Sequence, residues 1–193
     1  MSLSVVIALA DGCEEIEVVA PINILRRAGL DVMTVGIAGQ TVTGSRGIVL
    51  TADRAWCDLV ATMPTVLVLP GGMPGSRNLG EHSGLRQMAL RVAQADGYLA
   101  AICAAPAFTL GVWGLLSGRN ATCYPGCEEL FPADVTYCNE PVVVDGHFIT
   151  ACGPGVALEF AFRLVELLQG TEVADRLCSQ MQYEKSLTIL ESL

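Results

Sequence analysis

The pentapeptide Ala101-Ile102-Cys103-Ala104-Ala105 sets one thiol between a short apolar run and a string of small residues. Its form is small-x-nucleophile-x-small, which suits a reactive side chain on a sharp strand-to-helix turn. Small neighbours let the backbone fold back, and the side chain stands exposed at the top of a sheet. The N–H groups of a helix start would face the sulfur and favour the thiolate, the reactive form. A buried packing cysteine fits the same five residues, because free cysteine is among the most buried residue types. The pentapeptide alone leaves both readings open.

Two other stretches could complete a site. In "LVLPGGMPGS" (67–76), Gly71 and Gly72 end an apolar run, and backbone without side chains lets N–H groups approach an anion or a developing oxyanion. An ordinary glycine-rich turn reads the same way. In "DGCEEIE" (11–17) acidic residues open a helix, where they stabilise its positive end without any function. One of these glutamates could instead point into a pocket and hydrogen-bond a sulfur.

The elements that must position these residues alternate between strand and helix. Apolar runs at 4–10, 31–38, 65–70 and 98–103 read as buried strands. Residues 11–29 read as a turn followed by a helix, which Pro21 is expected to kink or split, and helical patterns fill 85–97, 156–170 and 172–182. Residues 40–53 and 141–151 read as hairpins, the second carrying Asp145-Gly146 at its turn. "GGMPGS" reads as a turn, "NATCY" (120–124) as a strand, and the chain after Cys103 as a helix to about Trp113. Residues 183–193 read as helical or as a frayed tail. Continuous apolar strands between helices imply an α/β fold with a mostly parallel sheet covered on both faces. Ligands in such folds bind beyond the carboxyl ends of the strands, where both Cys103 and the Gly71-Gly72 pair fall.

Bulk properties narrow the function. The 193 residues fit a single domain, and 52% of them are hydrophobic against 16% charged. That balance suits a doubly covered sheet, an interface between subunits, or both. The net charge of −9 repels phosphate backbones and disfavours nucleic acid as a partner. No apolar run approaches the roughly 18 residues of a membrane span. The N-terminus lacks a basic region before its apolar run, so a cytoplasmic location is expected. The eight cysteines are expected to be reduced thiols. Cys123 and Cys127 lie four apart, but the chain has only His82 and His147 to join them, and a structural zinc needs four converging ligands. No metal is therefore expected. The glycine-rich turns do not form a phosphate loop opening the first helix, so FMN is not expected either.

Taken together, "DGCEEIEVVAPINILRRAG", "VLPGG", "AAICAAP" and "GPGVALEFAFRLVELLQG" resemble the ThiJ/PfpI superfamily, in its DJ-one/YajL-like branch. The resemblance runs from the first strand to about residue 180. It implies a flavodoxin-like three-layer sandwich with a cysteine nucleophile elbow, assembled as a homodimer and needing no cofactor. By position it makes Cys103 the oxidation-prone nucleophile and Glu17 the acid that hydrogen-bonds it. Gly72 and Ala104 become the backbone donors facing the sulfur and a bound oxygen. Arg46, Arg27, Gly71 and Tyr124 fall at the pocket or the dimer interface.

Two departures from the family pattern bear on activity. Ala104 stands where the peptidase branch has a histidine, and neither His82 in a polar loop nor His147 on a hairpin supplies an imidazole base. Proteolysis and amidotransfer are disfavoured on that ground. Tyr124 stands where many relatives carry histidine; a phenol donates a hydrogen bond but is no base at neutral pH. The resemblance implies chemistry on glyoxals or early glycation adducts, of glyoxalase III or protein deglycase type, in carbonyl-stress defence. A small dicarbonyl or a glycated protein would be the substrate. It also implies an alternative: an oxidative-stress sensor or redox-regulated chaperone working through oxidation of Cys103.

Overall fold

The computed structural model describes residues 4–59 and 63–184, so most of the expected C-terminal tail lies outside the described residues. Eleven strands and five α-helices follow one another along it. They are β1 (Ser4–Leu9), α1 (Glu15–Arg27), β2 (Asp31–Gly36), β3 (Thr41–Thr43), β4 (Val49–Thr51), β5 (Arg54–Ala55) and β6 (Val66–Leu69). Then come α2 (Gly75–Glu81), α3 (Ser83–Gln94), β7 (Tyr98–Ile102), β8 (Asn120–Ala121), β9 (Thr136–Tyr137), β10 (Val142–Asp145), β11 (Phe148–Ala151), α4 (Ala157–Gln169) and α5 (Thr171–Gln180).

Seven strands form one sheet in the order β10-β11-β7-β6-β1-β2-β5, parallel except for the β10–β11 hairpin. The strands are apolar throughout because each feeds two cores. Val5, Ile7 and Leu9 of β1 face one core, and Val6 and Ala8 face the other. Val66 and Val68 of β6 join the first while Leu67 and Leu69 join the second. Helices α1, α4 and α5 cover the first face, and α2 and α3 the other. This is the flavodoxin-like α/β sandwich with its mostly parallel sheet.

After β1 the chain winds to β2 and β5 on one side, then returns to β6 on the other. The crevice at this reversal opens beyond the carboxyl ends of β1 and β6, with β7 alongside. The start of α1, Gly71 and Cys103 therefore meet at one end of the sheet.

Several local expectations are corrected. Pro21 does not divide α1, which runs unbroken from Glu15 to Arg27. Val18, Pro21, Ile24 and Leu25 form its buried stripe, and that packing offsets the hydrogen bond the proline cannot donate. "GGMPGS" is a turn only as far as Pro74, because α2 begins at Gly75. A Cβ at Gly75 would lie 2.6 Å from the Cys13 backbone nitrogen, so glycine is there for close approach and not for a bend. The helix after Cys103 is a π-helical turn over Pro106–Gly111. The strand expected at 120–124 shrinks to β8, since Thr122 N–H donates to the Thr150 hydroxyl and Tyr124 N–H to the Cys103 carbonyl. The hairpins stand: β3 pairs with β4 and β10 with β11, both antiparallel. Among the described residues no helix is long and apolar enough to cross a membrane.

The two kinds of glycine separate in a stability measurement. Gly75→Ala drives a methyl into the Cys13 backbone and should lower unfolding stability by about 2 kcal/mol or more. Gly155→Ala meets nothing within 4 Å and should change it by less than ~0.5 kcal/mol. Urea midpoints of the two variants check this, and equal shifts would refute the close-approach account.

Candidate active site

Cys103 follows the last residue of β7 and has φ = 64°. Its N–H donates to the Ala151 carbonyl at 2.8 Å, which continues the ladder to β11 by one step. The positive φ takes its side chain out of the strand's alternation, as a nucleophile elbow requires. The residue is 8% exposed.

Glu17 reaches the same spot from the first turn of α1 and is fully buried. Gly71 N–H donates to Glu17 Oε2 at 2.8 Å. Glu17 Oε1 makes no hydrogen bond of full geometry, and the Cys103 thiol is the polar side chain that interacts with this carboxyl. Gly71 is where side-chain absence matters most, because a Cβ there would come within 2.5 Å of both Cys103 Cβ and Glu17 Oε2.

The thiol and the carboxyl control each other's protonation. Burial pushes Glu17 up to about 7, against the opposing hydrogen bonds from Cys103 and Gly71. Burial, then the negative charge of Glu17, pushes Cys103 up to about 12. The backbone N–H groups of Gly72 and Ala104 act on the sulfur in the opposite sense but do not prevail. The expectation of a standing thiolate is thereby corrected: the Gly72 and Ala104 N–H groups act on the sulfur, yet desolvation beside an acid outweighs them. Once Glu17 takes a proton, its repulsion vanishes and it can donate to the sulfur. The pair therefore titrates as one unit.

The surrounding acids have separate duties. Glu15 is buried, and burial alone would raise it; the N–H groups of Glu15 itself, Arg46 and Ile48 with the Ser45 hydroxyl hold it below the usual carboxylate range. It thereby pins the β3–β4 hairpin to the start of α1. Glu14 Oε2 accepts from Ser45 Oγ at 3.0 Å and lies 4.0 Å from Arg46 Nε. The sequence pattern did not separate these two from Glu17; only their different directions from one helix start do.

Tyr124 is exposed beside Gly153, and its backbone N–H donates to the Cys103 carbonyl. Arg46 is close by on the hairpin, but its side chain is 79% exposed. Arg27 is not part of the cluster. It ends α1, ten residues and about 15 Å along the axis from Glu17, and donates to Asn23 Oδ1. His82 lies between α2 and α3, where its Nδ1 accepts from Leu85 N–H, and His147 packs on Tyr98. Cys123 has Cys103, Cys127 and Cys152 near it. The spacing of Cys123 and Cys127 was visible in the sequence, but nothing there linked either of them, or Cys152, to Cys103. Among the described residues no group of three His, Cys, Asp or Glu is arranged to hold a metal ion.

The model of the DJ-1/PfpI family matches residues 3–167. DJ-1 homolog A of Arabidopsis thaliana is 41% identical over 91% of the chain, which spans only 45% of that relative's length. A glutathione-independent glyoxalase of Caenorhabditis elegans is 30% identical over 86% of the chain and 89% of its own length. The structure of oxidised Toxoplasma gondii DJ-1 superposes with a TM-score of 0.91 at 34% identity, over 95% of this chain and all of that one.

The raised Glu17 has a signed consequence for stability. Its folded value of about 7 exceeds the ordinary 4.5, so the folded chain holds an extra proton between those values. Its contribution is complete below pH ~4.5 and is lost as the pH rises through about 7. Glu17→Gln should abolish that fall. The difference in urea midpoint between wild type and variant, followed from pH 4 to 8, cancels the titration of His82; a difference independent of pH would refute the raised value.

Proposed function

Because the chain belongs to the DJ-1/PfpI family, we propose that it is a cofactor-independent cysteine enzyme acting on glyoxals or early glycation adducts. The observation that carries this reading is the Cys103 sulfur lying against one acid and two backbone N–H groups, those of Gly72 and Ala104. An acid that titrates near neutrality can both accept and return a proton at working pH.

The Cys103 thiol adds to the aldehyde carbon of a dicarbonyl such as methylglyoxal. As the S–C bond forms, ionised Glu17 takes the thiol proton, and the Gly72 and Ala104 N–H groups stabilise the developing oxyanion. Glu17 returns that proton to the oxyanion, giving the hemithioacetal and freeing its carboxylate, which then moves the proton from the hemithioacetal carbon to the neighbouring carbonyl carbon through an enediol. This leaves a 2-hydroxy thioester. Water cleaves it, releasing the 2-hydroxy acid and restoring the thiol. A standing thiolate is unnecessary, because deprotonation accompanies addition. The name of the nematode relative supports a glyoxal as substrate.

The partner on this reading is a second copy of the chain. Helix α1 buries one stripe and leaves Ile16 and Val19 exposed, with Ile48 and Leu158 alongside. These four residues and Met181 line an apolar groove of about 390 Å³ that a second copy would cover.

Cys103→Ser should abolish dicarbonyl loss, and unchanged turnover would rule the mechanism out. In the wild type kcat/KM should rise with pH through about 7, as Glu17 ionises, and Glu17→Gln should lower it by roughly a hundredfold and remove that rise. Sedimentation should find a dimer that Val19→Glu shifts to monomer; a wild-type monomer at every concentration would exclude the second copy.

A further inference from the structure

We propose that Cys152 is a resolving thiol for Cys103: after a peroxide oxidises Cys103, the two form a reversible disulfide. This rests on the reading of Cys103 as a reactive thiol, but not on dicarbonyl turnover.

The first ground is register. Ile102 of β7 pairs with Ala151 of β11, and Cys103 and Cys152 are the next residues on these parallel strands. The backbone remains paired there, since Cys103 N–H donates to the Ala151 carbonyl. Neighbouring strands lie about 4.8 Å apart, inside the ~4.4–6.8 Å between Cα atoms that a disulfide spans. The second ground is proximity. The negative charge of Glu17, the carboxyl that interacts with Cys103, also acts on the Cys152 thiol, so both thiols lie near one acid. Cys123 senses both Cys103 and Cys152, which places all three in one neighbourhood. The third ground is access. Cys152 is half-buried, whereas Cys123 is fully buried. Water released from the Cys103 sulfenic acid can therefore leave past Cys152.

The chemistry balances in two steps. The Cys103 sulfur attacks the peroxide O–O bond, giving the sulfenic acid and an alcohol or water; sulfur loses two electrons, and the thiol proton goes to the departing oxygen. The Cys152 sulfur then attacks the sulfenic sulfur. An S–S bond forms, the S–O bond breaks, and hydroxide leaves as water with the Cys152 proton. A small thiol reductant restores both thiols by exchange. Without Cys152 the sulfenic acid meets more peroxide and proceeds to the sulfinic acid, which such a reductant does not reverse.

Reduced full-length protein treated with one equivalent of hydrogen peroxide, alkylated, digested and weighed tests this. The wild type should give a peptide pair joined through Cys103 and Cys152 that dithiothreitol separates. Cys152→Ser and Cys152→Ala should carry at least about tenfold more sulfinic acid on Cys103 than wild type. Cys123→Ser should still form the Cys103–Cys152 link. Wild type with as much sulfinic acid as the Cys152 variants, a link from Cys103 to Cys123 instead, or unoxidised Cys103 would each overturn the proposal. Dicarbonyl turnover of the reduced protein is assayed separately. Its absence beside an intact link would defeat the enzyme reading alone, and a missing link beside normal turnover would defeat this one alone.

Discussion

The site depends on one constraint: a carboxyl and a thiol share a dry junction with too few hydrogen-bond donors to keep both ionised. Gly71 N–H serves one oxygen of Glu17, and the N–H groups of Gly72 and Ala104 serve the sulfur. Among the described residues no ion pair joins a cation to Glu17, and Arg46 is largely exposed beside Glu14. Burial then makes one proton common property. A proton on Glu17 is a donor aimed at sulfur, and a proton on sulfur leaves Glu17 a base. Either state is serviceable chemistry, so the same pair is compatible with both the proposed carbonyl addition and the proposed reaction with peroxide.

The sheet exists, for this purpose, to hold three carboxyl ends together. β1 leads to the start of α1 and Glu17, β6 to Gly71 and Gly72, and β7 to Cys103. These strands are adjacent, so small errors in any one would separate the pair. The missing side chain of Gly71 lets the acid and the thiol meet, and the buried Glu15 anchors the β3–β4 hairpin against the same helix start. Both features are costly in isolation: a glycine at a strand end and an acid without solvent. They are sustained by two apolar cores that enclose the sheet.

The same economy explains why neighbouring acids behave differently. Glu14, Glu15 and Glu17 leave one helix start in different directions. Glu15 meets backbone donors and Ser45 and is held below the usual carboxylate range. Glu17 meets one backbone donor and a thiol and is raised. Composition and charge are identical, so the depth of burial, set against the donors each carboxyl finds, decides the role.

Much was legible in the sequence because it obeys short-range rules. Unbroken apolar runs at β1, β6 and β7 announced a parallel sheet buried on both faces, Asp145-Gly146 announced the β10–β11 hairpin, and small residues around Cys103 announced the sharp turn. Other features needed the folded chain. Pro21 stays helical because its face is packed, and Gly75 begins a helix because Cys13 presses against it. The protonation of Cys103 could not be read from its neighbours in the chain, which supply only favourable N–H groups. Desolvation and the charge of Glu17, 86 positions away in the sequence, are set by which strands lie side by side. Sequence determined which groups could react; the tertiary structure decided which of them share a proton, because electrostatics acts through space and burial belongs to the whole fold.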